Sequence, residues 1–166
     1  MPMPLMPTID QVRELPVLIE LTIPPEWQDL NGHVNVQHYL DIYDQAGWPL
    51  MHLLGVDESR FKVDKTGFFD LEHHLWYLAE MHVGDVVTAH TRFYGLSAKR
   101  FHGALFIANK TRDSLASVLE FVTTGANLET RRSAALPEDV ARKVGDLIEE
   151  HDRLTWPAPR CGSIAP

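Results

Sequence analysis

The stretch Asn35-Val36-Gln37-His38-Tyr39-Leu40-Asp41-Ile42-Tyr43-Asp44-Gln45-Ala46-Gly47-Trp48-Pro49-Leu50-Met51-His52-Leu53-Leu54-Gly55 decides the fold of this chain. Its apolar positions Val36, Tyr39, Leu40, Tyr43, Ala46, Leu50, Met51 and Leu54 recur at helical spacing and describe one buried face. Asn35 reads as the N-cap and Gly55 as the stop. Pro49 removes one backbone hydrogen bond and crowds the preceding turn, which predicts a kink or a split there.

Outward from this helix the pattern changes. Upstream, residues 17–23 are rich in β-branched residues and end at Pro24-Pro25, which predicts a strand. Downstream, residues 67–79, 86–94, 101–109 and 115–124 alternate with period two, with Gly84-Asp85 and Asn109 to Asp113 as turns. Four consecutive strands joined by short turns predict an antiparallel meander. Val140, Val144, Leu147, Ile148 and His151 define a closing amphipathic helix. The reading is an α+β sheet wrapped around a long central helix, with residues 1–14 as an N-terminal arm, 15–136 as the domain, 137–154 as the C-terminal helix and 155–166 as a loose tail. A second sheet face and open edges need cover, so a homodimer or a dimer of dimers is expected.

The chain has 166 residues, enough for one domain with a core of its own, and a net charge of −8. That balance argues against nucleic-acid binding, which needs clustered Lys and Arg. The lone cysteine, Cys161, excludes an internal disulfide and fits a reducing compartment. No stretch has the apolar length of a membrane span, and residues 1–10 do not read as a signal peptide. A cytoplasmic location without membrane contact is the default expectation.

Directly before the helix stands Asp29-Leu30-Asn31-Gly32-His33-Val34-Asn35, a carboxylate, an imidazole and two carboxamides in seven residues. Read blandly, Asp29, Asn31 and Asn35 are turn formers and a cap, because Asp and Asn bond to nearby backbone. Read functionally, a rigid helix behind the loop holds reactive groups in fixed geometry. The string Trp27 to Asn35, followed by Tyr39, resembles the hotdog-fold acyl-CoA thioesterases of the 4-hydroxybenzoyl-CoA thioesterase type. Tyr77 to Asp85, Ala98 to His102 and Arg131-Arg132-Ser133 carry the resemblance onward, over about residues 15–137. Plant acyl-carrier-protein thioesterases have a similar Asp-x-Asn-x-His-Val-Asn string whose Asp, Asn and His are functional.

The resemblance implies a hotdog fold, hydrolysis of an acyl-CoA to free acid and coenzyme A, no cofactor besides the coenzyme A of the substrate, and sites built at a dimer interface. It assigns Asp29 as nucleophile or water-activating base, with Asn31 and His33 beside it. The backbone amides of Asn35 and Val36, at a helix start, would receive the oxyanion. Lys99, Arg100, Arg131 and Arg132 are candidates for the coenzyme A phosphates, and Trp27, Tyr39, Trp48, Trp76 and Tyr77 for the acyl pocket, including a cage for a quaternary ammonium. Glu72 is the candidate for an additional carboxylate. The acyl group is left open among short or medium chains, aromatic groups and betainyl-CoA, which relatives in carnitine breakdown cleave.

Other chemistries fare worse. Gly95-Leu96-Ser97-Ala98-Lys99 lacks the second glycine of a nucleophile elbow. His73 and His74 are adjacent on a strand and point to opposite faces, and His33 and His38 lack the helical spacing of a metal-binding pair, so no metal is expected. The alternatives are a hotdog hydratase or dehydratase acting on hydroxyacyl thioesters, and a non-catalytic acyl-CoA-binding module.

Overall fold

A computed structural model describes residues 3–166 of the chain. The elements are α1 (Ile9–Val12), β1 (Val17–Thr22), α2 (Gln37–Leu53), α3 (Glu58–Lys62), β2 (Thr66–Tyr77), β3 (Val86–Leu96), β4 (Arg100–Asn109), β5 (Ser114–Asn127), β6 (Arg132–Ser133) and α4 (Glu138–His151). The strands form one antiparallel sheet in the order β1-β3-β4-β5-β2, with β6 on the end of β5. The inner face of this curled sheet packs on α2. This is the hotdog architecture.

The fold buries Tyr39, Tyr43, Ala46, Leu50 and Leu54 of the helix stripe read from sequence, but it leaves Val36 and Leu40 exposed and buries Ile42, which that stripe omits. Tyr39, Ile42, Tyr43, Ala46 and Leu50 of α2 join Val87, Ala89, Phe93, Phe101, Leu105, Leu119 and Phe121 of the sheet in one core, which Val140, Val144 and Leu147 of α4 extend. The split expected as one outcome at Pro49 does not occur: α2 runs through it as one helix. Burial of Leu50, next to the proline, and of Ala46, one turn before it, offsets the missing backbone bond. Gly55, at φ +76°, ends the helix in the left-handed region that glycine tolerates.

One expectation about topology needs correction. The four strands after α2 are not a simple meander. Only β3, β4 and β5 are; β2 pairs with β5 at the far edge of the sheet. Periodicity identifies strands but carries no information on which neighbour a strand chooses. Residues 78–85 are long enough to cross the end of the sheet from β2 to β3, since an extended residue reaches ~3.3 Å.

The two ends are also packed rather than loose. Thr8 and Gln11 form a reciprocal capping box that starts α1, and Val12 and Leu15 are buried. Residues 155–166, expected to be loose from their prolines, lie on the outer face of the sheet. Trp156 is buried against Phe106, with the Arg92 guanidinium 4.2 Å over its indole ring. Arg92 also donates to the carbonyls of Trp156 (2.8 Å) and His151 (3.1 Å). Further on, the Cys161 N–H donates to buried Glu120 at 2.6 Å, and Glu120 pairs with buried His102 at 2.8 Å. The chain's own termini thus cover the outer face for which a partner was expected. The long edge of β2 stays unpaired among the described residues.

Candidate active site

The loop before α2 is fixed at both ends by backbone bonds. Val34 N–H donates to Met81 O and Asn35 N–H to Trp27 O, each at 2.9 Å. Inside it, Asp29 N–H donates to His33 O (2.9 Å) and Gly32 N–H to Asp29 O (3.1 Å). Gly32 sits at φ +86°, which explains a glycine in the middle of the polar string. Trp27 stacks flat on His38, with ring centroids 4.8 Å apart, and clamps the loop to the first turn of the helix.

The Asp29 carboxylate is held from two sides. Asn31 donates its backbone N–H to Oδ1 (2.8 Å) and its Nδ2 to Oδ2 (3.1 Å). His33 Nδ1 lies 3.7 Å from Oδ1 and 3.1 Å from the Val34 carbonyl, to which it donates as the Nδ1–H tautomer. Partial burial raises the Asp29 carboxyl, but the two Asn31 donors, with His33 nearby, outweigh it and hold the group below its ordinary value. The carboxylate is therefore ionised at neutral pH.

The helix start separates the two amides assigned to an oxyanion. Asn35 N–H is spent on Trp27 O, and the Asn35 side chain accepts from Gln37 N–H at 3.1 Å, so Asn35 is a cap and not an oxyanion donor. Val36 N–H has no acceptor among the described residues. Val36 lines a cavity of about 250 Å³ together with His33, Tyr39, Tyr77 and Glu80. A second cavity of about 320 Å³ follows along the same flank of α2, between Tyr43, Asp44, Gly47 and Met51 of the helix and Asp70, His73 and Leu119 of the sheet.

Of the sequence candidates, His33, Val36, Tyr39 and Tyr77 line the first cavity; Asp29 and Asn31 line neither cavity and adjoin this group through the approach of Asp29 to His33, with Trp27 buttressing the loop. The others do not join them. Trp76 points to the outer face and packs beside Trp156, because it neighbours Tyr77 on a strand whose side chains alternate. Trp48 packs on Phe61 and His52 and lines neither cavity. Glu72 is exposed on β2 and likewise lines neither. The carboxylate that does line the first cavity is Glu80, which lies within the stretch Tyr77 to Asp85 and is not among the sequence candidates.

Lys99, Arg100, Arg131 and Arg132 cluster with one another at the opposite end of the sheet. Gly125 N–H donates to Lys99 O, Arg132 pairs with Asn127, and Arg131 lies 5.1 Å over the Phe69 ring. The helix start, by contrast, meets β5 near Ala116, which accepts from Leu78 and Ala79. From Ala116 to Gly125 is nine strand steps, about 30 Å at ~3.4 Å each. Within one chain the basic group and Asp29 do not meet.

A family model described as the thioesterase-like superfamily matches residues 23–144. A betainyl-CoA thioesterase of Pseudomonas aeruginosa is 31% identical over 140 residues, covering 83% of this chain and 87% of that protein. A bifunctional L-carnitine dehydrogenase/betainyl-CoA thioesterase of Ruegeria pomeroyi is 25% identical over 143 residues. There the match covers 86% of this chain but 29% of the longer protein. Among solved structures, a Staphylococcus aureus protein in complex with CoA superposes with a TM-score of 0.78 at 28% identity, covering 86% of this chain and 90% of that one.

Proposed function

The chain belongs to the thioesterase-like superfamily and is a thioester hydrolase acting on acyl-CoA, and on that premise we propose that Asp29 drives the reaction at the start of α2. What supports this reading is an ionised carboxylate, held by Asn31 on the loop that leads into α2, together with a Val36 N–H that has no acceptor among the described residues. Asp29 attacks the thioester carbonyl, or removes a proton from a water that does, and the carbonyl oxygen takes the developing charge towards Val36 N–H. Collapse of the tetrahedral intermediate breaks the C–S bond and expels the coenzyme A thiolate. If Asp29 attacks directly, water then cleaves the acyl-enzyme anhydride and restores the carboxylate. Either route consumes one water and yields the free acid and coenzyme A. His33, with Nδ1 committed to Val34 O, presents Nε2 for orienting water.

A homodimer completes the site in this reading. The free edge of β2 supports it, since antiparallel pairing of β2 with its own copy runs the two strands in opposite directions. The end of β2 next to Asp29 then lies beside the end of the partner's β2 next to its basic cluster. Lys99, Arg100, Arg131 and Arg132 thereby serve the coenzyme A phosphates of the neighbouring chain's substrate rather than their own.

Betainyl-CoA and short- or medium-chain acyl-CoA are the candidate substrates, and the similarity to a betainyl-CoA thioesterase of P. aeruginosa supports the first. A panel of acyl-CoA thioesters assayed with a thiol-trapping reagent tests the reading. Release of coenzyme A thiol is expected; measurable acyl-CoA binding with no thiol release would favour a binding module. Consumption of an enoyl chromophore without thiol would indicate a hydratase.

A further inference from the structure

The cavity at the helix start, which Val36 lines, has walls of a particular chemistry. Tyr39 and Tyr77 meet at nearly a right angle, with ring centroids 5.0 Å apart and planes 84° to each other. Tyr39 is buried and donates its hydroxyl to Ala79 O (3.2 Å), which fixes that corner, whereas half of Tyr77 is exposed. Glu80 stands beside them with His82 Nε2 at 3.7 Å. Burial, and to a lesser degree the nearby Glu80 carboxylate, push the Tyr39 phenol above its ordinary value, as expected if Glu80 faces the same space. The adjoining cavity adds Asp44 and Asp70. Among the described residues neither cavity is lined by a Lys or an Arg.

This lining discriminates among acyl classes. An anionic acyl group would meet three carboxylates and no fixed positive charge. A plain alkyl chain gains nothing from Glu80 and desolvates it. A cation gains from the ring faces and from the carboxylate together, and this combination is how quaternary ammonium groups are bound. Length agrees as well. In a trimethylglycyl thioester the nitrogen is two bonds from the carbonyl carbon, and Tyr39 is one helical turn from Val36, about 4.5 Å along the axis. Asp44, eight residues from Val36, is about 12 Å along the axis. It contributes to the field but not to contact with so short a group.

We propose that the cavity at the start of α2 is a subsite for an acyl group bearing a quaternary ammonium, with Tyr77 and Tyr39 as its aromatic corner and Glu80 as its counter-charge. The assignment rests on the thioesterase reading above. It makes Tyr77 and Glu80 specificity-determining residues of the reaction.

The test uses two thioesters of equal shape and different charge: trimethylglycyl-CoA and its neutral carbon isostere, 3,3-dimethylbutanoyl-CoA. For the full chain, kcat/KM for the cationic substrate should exceed that for the isostere by on the order of tenfold or more. In Glu80→Gln and in Tyr77→Leu that ratio should fall towards one, with most of the change in KM. Equal or better cleavage of the neutral isostere by the wild-type chain would overturn the proposal while leaving the thioesterase standing. A ratio that survives in both variants would overturn the assignment of the residues. No thiol release from either substrate or from the wider acyl-CoA panel would overturn the thioesterase reading itself, and the subsite with it.

Discussion

Asn31 grips Asp29 with both of its nitrogens, the backbone N–H at 2.8 Å from Oδ1 and Nδ2 at 3.1 Å from Oδ2. The same contacts that make an ordinary Asx turn also keep a carboxylate charged and aimed. Structural and functional readings of this loop are therefore two descriptions of one geometry.

Asn31→Ala removes the Nδ2 donor and leaves the backbone one. Asp29 is held below its ordinary value, so activity that depends on its ionised form is present at neutral pH and is lost as pH falls through that depressed value. Removing a donor to the charged form raises the Asp29 pKa, and the acid limb of the kcat/KM profile should move to higher pH. A pH–rate profile of the variant checks this; an unmoved limb would mean that the limb belongs to another group.

Val36→Pro deletes an N–H that has no acceptor among the described residues, with little backbone disturbance, because Val36 already has φ −55°. Loss of a single oxyanion donor typically costs ~10²–10³ in kcat. We expect a fall of that order with an unchanged thermal midpoint. Full activity would remove Val36 from the reaction.

Arg131→Ala combined with Arg132→Ala should raise KM for an acyl-CoA several-fold but leave KM for the matching N-acetylcysteamine thioester, which lacks the nucleotide, unchanged. The effect should persist only in the dimer, since the basic cluster and Asp29 lie at opposite ends of one sheet. Steady-state kinetics on both substrates, with light scattering for oligomeric state, decides it. Equal effects on the two thioesters would contradict phosphate binding.

Trp156→Ala should cost about 3–5 kcal/mol, the usual range for emptying a buried aromatic site. The tail it anchors also depends on Glu120. Burial raises that carboxyl, but the bonds from His102 and Cys161 N–H outweigh it and leave it below its ordinary value. A depressed carboxylate contributes stability above its unfolded pKa and loses it as pH falls through the folded one. Denaturant titrations of wild type and Glu120→Gln across acid pH should therefore converge at the acid end; parallel curves would contradict the linkage.

How much of this was legible in sequence follows from what each signal encodes. Spacing did not distinguish exposed Val36 and Leu40 from buried Ile42, but most of the α2 stripe was readable because one helix face meets one sheet. The partner of β2 was not, because pairing is decided by the closure of the whole sheet. The tail misled because prolines exclude helix without excluding packing, and Trp156 and Cys161 find an outer face shaped by Arg92 and Glu120. At the site, the string from Asp29 to Asn35 announced itself through clustered polar chemistry. Glu80 did not, since it lies 51 residues further on and reaches the helix start only through the fold. The aromatic candidates divided as strand alternation requires, with Tyr77 facing the helix and Trp76 the tail.

The central claim is that thioester hydrolysis depends on the Asp29 carboxylate. The most direct measurement compares thiol release from the preferred acyl-CoA by the wild-type chain and by Asp29→Asn, an isosteric change that retains an oxygen for the Asn31 donors. A drop in kcat of at least ~100-fold with unchanged thermal stability is expected for loss of a nucleophile or general base. Turnover by Asp29→Asn at the wild-type rate would contradict the account.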